Sequence, residues 1–175
     1  VLIVFYRSYL VAADLAPIEA LFAALTRRGF AVAGAFVPSL KAPEAARWLD
    51  RHLRSLAPVA IVNATSFSAQ AGGASPLDAA GVPVFQVVHA TSDRAGWAGS
   101  ERGLSAADLA MQVALPEFDG RIGAIPVAFK AEETDPATGL STRRLVPDAQ
   151  GIAALAHLAA GWIALAQKTE AERRL

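Results

Sequence analysis

The sequence contains no cysteine, which excludes a disulfide framework and a thiolate metal site. That lack also fits a cytoplasmic location. An excess of one charge is missing too: 16 Lys and Arg face 16 Asp and Glu. Binding a nucleic-acid backbone calls for a basic surplus, so no nucleic-acid partner is expected. No apolar run reaches the roughly 20 residues of a membrane helix, and no membrane partner is expected. Signature motifs are absent as well. There is no G-x-G-x-x-G after the first strand, no G-x-x-x-x-G-K-[ST] and no G-x-S-x-G, so ATP is not expected to bind this chain. His52, His89 and His157 lie far apart and lack the H-E-x-x-H type of spacing. No metal site is expected from this chain alone.

What the chain does have is apolar mass, with 54% hydrophobic residues over 175 positions. That suffices for the core of one domain and argues against disorder. Strand-like and helix-like stretches alternate. "VLIVFY" (1–6) is a continuous apolar run, as in a strand covered on both faces. Asp14 is placed to cap the next helix, whose stripe is Leu15, Ile18, Phe22 and Leu25. "FAVAGAFV" (30–37) is the second strand. Pro43 opens a helix with Ala45, Leu49, His52, Leu53 and Leu56 as its inner stripe. "VAIVNA" (59–64) is the third strand. A small-residue loop (65–75), a short helix near 76–80 and a fourth strand (82–88) follow.

Further on, Ser105 and Asp108 fit a capping box before a helix near 106–113, and Pro116 argues against helix from Leu115 onward. Residues 122–130 are strand-like, with Pro126 suggesting an edge position. "ETDPATG" (133–139) is turn chemistry, and 141–146 is placed to return as a hairpin partner. Asp148 caps a last helix that faces the core through Ile152, Leu155, Ala159, Trp162 and Ile163. These repeats predict a single three-layer α/β domain over residues 1–175. Its sheet is mostly parallel, Rossmann- or flavodoxin-like, with helices on both faces.

In such sheets ligands bind beyond the C-terminal strand ends. The sequence puts Tyr6, Arg7, Ser8 and Tyr9 there after the first strand, and Asn63, Thr65 and Ser66 after the third. His89, Thr91 and Ser92 follow the fourth. Asn63 and Thr65 are equally at home as turn formers. "ALPEFDGRIGAI" (114–125) carries Glu117 and Asp119 with Arg121 close behind. It reads either as an acid/base pair or as a solvated turn bent at Asp119-Gly120. Trp97, in a polar loop, is a packing residue or lines a cleft.

Several stretches, in order, carry a resemblance: "VLIVFYRSYLVAADLAPIEALFAALTRRG", "VNATSFSA", "SPLDAAGVPVFQVV", "GLSAADLAMQVALPEFDGRI" and "VAFK". They resemble the family of the cobaltochelatase large subunit (CobN) and the magnesium chelatase H subunit, with cobalt favoured. The chain opens on a strand without a methionine and closes in "QKTEAERRL", and is read as an internal piece of a much longer subunit. The resemblance implies insertion of cobalt, as substrate, into a corrin-type tetrapyrrole in aerobic cobalamin synthesis. It also implies AAA+ partner subunits that hold ATP and magnesium. Metal insertion needs a base for the pyrrole protons and donors for the macrocycle's side groups. Glu117 and Asp119 are the candidates for the first role. Asn63, Thr65, Gln86, His89 and Arg121 are the candidates for the second. The family's histidine- and glutamate-bearing motifs of the G-x-H-G-x-x-E kind are absent here. The implied role is therefore one wall of a shared cavity, with a docking module or an unrelated small-ligand domain as alternatives.

Overall fold

The structure, a computed structural model, describes residues 1–70 and 73–173. Residues 71 and 72 of the small-residue loop and the last two residues lie outside this description. The opening apolar run forms β1 (Leu2–Tyr6), buried within the sheet. β2 (Ala33–Val37), β3 (Ile61–Ala64), β4 (Val84–Ala90), β5 (Ile122–Thr134) and β6 (Ser141–Pro147) complete a six-stranded sheet. Its order is β2-β1-β3-β4-β5-β6, parallel throughout except for β6, which returns antiparallel to β5. The α/β class is as predicted, and the strand order reverses between β1 and β3.

Alternation along β1 fills both faces. Ile3 and Phe5 pack with α2 (Ala16–Arg27) and α7 (Ala149–Gln167), while Leu2 and Val4 pack with α3 (Pro43–Leu56). The most apolar 18-residue window of α7 has a mean hydropathy of 1.5. Ile152, Leu155, Ala159 and Ile163 use that apolarity against the sheet. A short helix, α1 (Arg7–Val11), follows β1 directly and buries none of its residues.

Several sequence expectations need correcting. Phe22 is 39% exposed, and Leu21 takes its place in the core. His52 and Leu56 also lie outside, with His52 stacked on Trp48 at 3.9 Å. Trp162 meets Phe85 edge-on yet stays 43% exposed. Asp14 does not cap α2. Its carboxylate accepts the Leu145 N–H of β6 and so ties the start of α2 to the far edge of the sheet. Pro126 lies in a strand with neighbours on both sides. β6, however, pairs with β5 only from Ala128 onward, so the residue occupies a locally open stretch opposite a register shift.

Pro116 does not stop its helix either. α4 (Arg94–Ala98) precedes α5 (Ala106–Asp108), which continues through a π-helical segment (Leu109–Ala114) into α6 (Leu115–Glu117). In a π register the N–H of residue 116 would serve the Met111 carbonyl, and proline has none. The Phe67 N–H fills the vacancy at 2.7 Å. The wider turn thus accommodates the proline and hands one carbonyl to a neighbouring loop.

The first turn of α7 is set by Asp148, whose carboxylate accepts the Gly151 N–H at 2.8 Å. A Cβ at Gly151 would lie 1.8 Å from the Pro126 carbonyl oxygen, a backbone atom with little freedom to retreat. Gly151→Ala is expected to destabilise the chain by at least about 2 kcal/mol in denaturant unfolding. At Gly161 in the same helix a Cβ meets nothing within 4 Å, so Gly161→Ala is expected to stabilise by about 0.5 kcal/mol.

Candidate functional site

Two polar clusters occupy the C-terminal ends of β1, β3 and β4, the rim where the strand order reverses. The first is built on Asn63 and Gln86, which face each other across β3 and β4. Asn63 donates to Gln86 Oε1 at 2.7 Å and accepts from Thr65 Oγ1 at 2.9 Å. Gln86 Nε2 donates to the Thr65 and Val87 carbonyls at 2.8 and 2.9 Å. All three side chains are buried, and each polar group finds a partner within the chain.

Arg121 closes this cluster. Its Nη2 donates to Asp119 Oδ2 at 2.7 Å, and the two side chains are 1% and 0% exposed. Burial pushes the guanidinium below its ordinary value, and the adjacent Asp119 carboxylate opposes this. Asp119 also accepts Ser68 Oγ–H at 2.5 Å and the Ala69 N–H at 2.6 Å. Arg121 reaches the Phe67 carbonyl with Nη1 at 3.4 Å, while its Nε has no partner among the described residues. Phe67 is held at φ 67°, a left-handed conformation that a bulky residue rarely takes. Its N–H on Met111 and its carbonyl on Arg121 fix it there.

The second cluster surrounds His89. Beyond Gln86 the β3 side of β4 has no partner strand, and the Gln112 side chain takes its place. Gln112 Oε1 accepts the His89 N–H at 2.9 Å, and Nε2 donates to the His89 carbonyl at 3.0 Å, as a peptide group would. Nε2 also donates to Asp108 Oδ1 at 2.9 Å, and Asp108 Oδ2 accepts both the N–H and the hydroxyl of Thr91. The ring of His89 contacts the Tyr9 hydroxyl through Nδ1 at 3.0 Å. Burial pushes His89 down to about 4 and Tyr9 up to about 12, so both are neutral near pH 7 and share one hydrogen bond.

The structure therefore brings Asn63, Thr65, Gln86, Arg121 and Asp119 into one cluster, with His89 in a neighbouring one. It does not bring Glu117 and Asp119 together. Asp119 points inward to Arg121, while Glu117 is exposed at the end of α6. The turn expected at Asp119-Gly120 is present, with Gly120 at φ 70°. Trp97 packs on Phe129 at 5.2 Å under the Arg94 guanidinium. Among the described residues no three His, Asp or Glu side chains converge on a metal position. Asp108, Gln112 and Ser68 escaped the sequence reading. Gln112 left a signal, being the one amide in the apolar stretch "LAMQVAL". Asp108 read as a capping residue, and it does donate its N–H to Ser105 Oγ, but its carboxylate serves Thr91 and Gln112.

Two outcomes follow from this geometry. Asp119→Asn leaves a buried guanidinium without its counter-charge and is expected to cost about 3 kcal/mol. The summed losses of D119N and R121Q should exceed that of the double variant by at least about 1 kcal/mol in a denaturant double-mutant cycle. For His89, the folded value near 4 lies below the ordinary 6.5, so the unfolded chain binds the extra proton. Its contribution is complete above pH 6.5 and is lost as pH falls toward 4, on the order of 3 kcal/mol in all. His89→Gln should flatten that limb of a stability-versus-pH curve.

The sequence model of the CobN/Magnesium Chelatase family matches residues 1–175. The chain is 38% identical over 178 residues to the aerobic cobaltochelatase subunit CobN of a Sinorhizobium species, covering 99% of this chain and 14% of that protein. It is 34% identical over 188 residues to the same subunit of Pseudomonas aeruginosa, covering 100% of this chain and 14% of that protein. The catalytic subunit of cobaltochelatase from Mycobacterium tuberculosis superposes with a TM-score of 0.79 at 29% identity, over 99% of this chain and 15% of that one. The chain thus spans about one seventh of the length of the relatives it matches. A family model matched end to end, together with relatives above one third identity, places this chain in the CobN/magnesium chelatase family.

Proposed function

We propose that this domain forms one wall of the cleft in which a cobaltochelatase large subunit holds a corrin-type tetrapyrrole, hydrogenobyrinic acid a,c-diamide, for cobalt insertion in aerobic cobalamin synthesis. Cobalt is a substrate of the reaction. ATP and its magnesium belong to AAA+ partner subunits, and the remaining domains of the same cytoplasmic polypeptide supply the metal-handling groups. The observation that carries this reading is the rim at residues 117–118. The buried Asp119–Arg121 pair anchors the chain just behind Glu117 and Phe118, and Gln70 Nε2 donates to the Phe118 carbonyl at 2.8 Å. Phe118 is 75% exposed. An exposed aromatic ring on an anchored backbone suits a flat macrocycle, and Glu117 beside it is a carboxylate placed to take a pyrrole proton.

Asp119, Asn63, Thr65, Gln86, His89 and Arg121 then act through position. Their polar groups are largely taken up by the chain itself, so they hold the rim in place for the residues that meet the ligand. A docking module is the second reading, favoured by Leu10 and Val11 of α1, which are 45% and 80% exposed.

In the full-length enzyme with its partner subunits, Glu117→Gln is expected to lower kcat for cobalt insertion about a hundredfold, the usual range for losing a general base. Phe118→Ala is expected to raise KM for the tetrapyrrole with less effect on kcat. Unchanged turnover and KM in both variants would remove the cleft-wall reading and leave the docking module.

A further inference from the structure

A second concave surface lies beside the buried clusters. A cleft of about 790 Å³ runs between α3 and the 74–79 segment, with Ala69 also in its wall. That volume is in the range of small-molecule sites. One stripe of α3 lines it, with Arg47, Asp50, Arg51 and Arg54 recurring at helical spacing, and Lys41 adds a further cation from the β2–α3 connection. Arg54 is held by Asp50 at 2.8 Å, and Asp78 accepts the Ser75 N–H at 2.7 Å. Lys41, Arg47 and Arg51 are exposed, and among the described residues none has a carboxylate within ion-pair distance.

Two further features favour negative charge here. The N-cap of α3 is Ala42, which has no side-chain acceptor, so the positive end of a 14-residue helix stays uncapped. Glu44 is the one acidic residue in that first turn, and it does not line the cleft. The wall at Ala69 is not loose either, since its N–H is bound by Asp119. The chain as a whole has no net charge, so three unpaired cations around one concavity are a local arrangement. A concave site of this size suits a small molecule better than a polymer backbone, which needs an extended basic track.

We infer that this cleft binds a small molecule carrying two or more carboxylate or phosphate groups. Arg47 and Arg51, one helical turn apart, each grip one anionic group, and Lys41 adds a third contact. If the reading in the preceding subsection holds, the anions are carboxylate side groups of the tetrapyrrole, and the macrocycle extends from Phe118 toward α3. The anion site itself does not depend on that identification.

The test uses the full-length subunit and its R47Q/R51Q variant, both residues being exposed so that folding is preserved. Each is titrated with the tetrapyrrole free acid, with its methyl ester and with pyrophosphate. The variant is expected to bind the free acid about tenfold more weakly and the ester with unchanged affinity, and the free-acid difference should shrink at high salt. Loss of pyrophosphate binding in the variant, with the free acid unaffected, supports the cleft with a phosphate-bearing ligand and removes the macrocycle from it. Equal affinity of wild type and variant for both anions overturns the inference and leaves the cleft-wall role standing. Should the wild type bind no macrocycle at all, the proposed function fails. Pyrophosphate then decides the cleft alone: weaker binding by the variant supports it, and equal or absent binding overturns it. A K41Q variant provides an independent check from a different element, with a smaller loss in the same direction expected.

Discussion

A guanidinium with a 1% exposed side chain must keep a carboxylate beside it, and the rest of the rim depends on how Arg121 meets that need. An unpaired charge at such depth would be worth several kcal/mol of destabilisation. The partner comes from two residues upstream. Gly120, at φ 70°, reverses the chain so that residues 119 and 121 both turn inward. Asp119 then uses its remaining acceptor capacity on Ser68 and Ala69. One ion pair therefore locks the end of α6, the start of β5 and the loop after β3 into a single unit. With Asp119 turned inward, Phe118 and Glu117 face outward.

The same economy explains why the crevice at the strand reversal is not itself an open pocket. In many doubly wound sheets that crevice receives the ligand. Here Asn63, Thr65 and Gln86 fill it and bond to one another, and Gln112 seals the exposed backbone of β4 beyond the end of β3. Buried amides that satisfy each other rigidify what they hold but leave little capacity for a ligand. On the proposed reading, contact with substrate falls farther out, at the aromatic and acidic tip at residues 117–118 and the arginine stripe of α3. The 65–70 loop joins these surfaces: Gln70 holds Phe118, while Ala69 walls the cleft.

Most of the fold was legible from the chain because the signals were local. Continuous apolar runs gave the parallel strands, and Asp148 and Ser105 capped their helices as their positions implied. Errors came where tertiary contacts outweighed local preference. Asp14 looked like a cap and became a cross-link to β6, because the nearby Leu145 N–H lay on the edge strand without a further partner. His52 is spaced with leucines, yet the buried face of α3 runs through Ala45, Leu49 and Leu53, and His52 lies beside it with its ring against Trp48. Strand-end placement put Asn63 and Thr65 at the end of β3, where the structure has them, while His89, expected just after the fourth strand, lies within β4. The opposite orientations of Glu117 and Asp119 were not readable, since a spacing of two residues at a helix end says nothing about which side chain the turn buries. Asp108 and Gln112 depend on contacts across 17 and 23 residues, which no local pattern encodes.

The π segment shows why a locally unfavourable sequence persists in this helix. A proline about three turns into a helical run would ordinarily break it, and a π turn is a poor way to save it unless its geometry is needed. Here the widened turn frees the Met111 carbonyl for Phe67, and Asp108 and Gln112, four residues apart, together meet the end of β4. A regular α-helix would direct that carbonyl to the residue 115 N–H and leave the Phe67 N–H without its partner. Phe67 would then lose one of the two bonds that hold it at positive φ, and with it the loop that carries Ser68, Ala69 and Gln70. The irregular helix and the buried ion pair are thus two supports of one loop, which holds Phe118 through Gln70 and walls the cleft at Ala69.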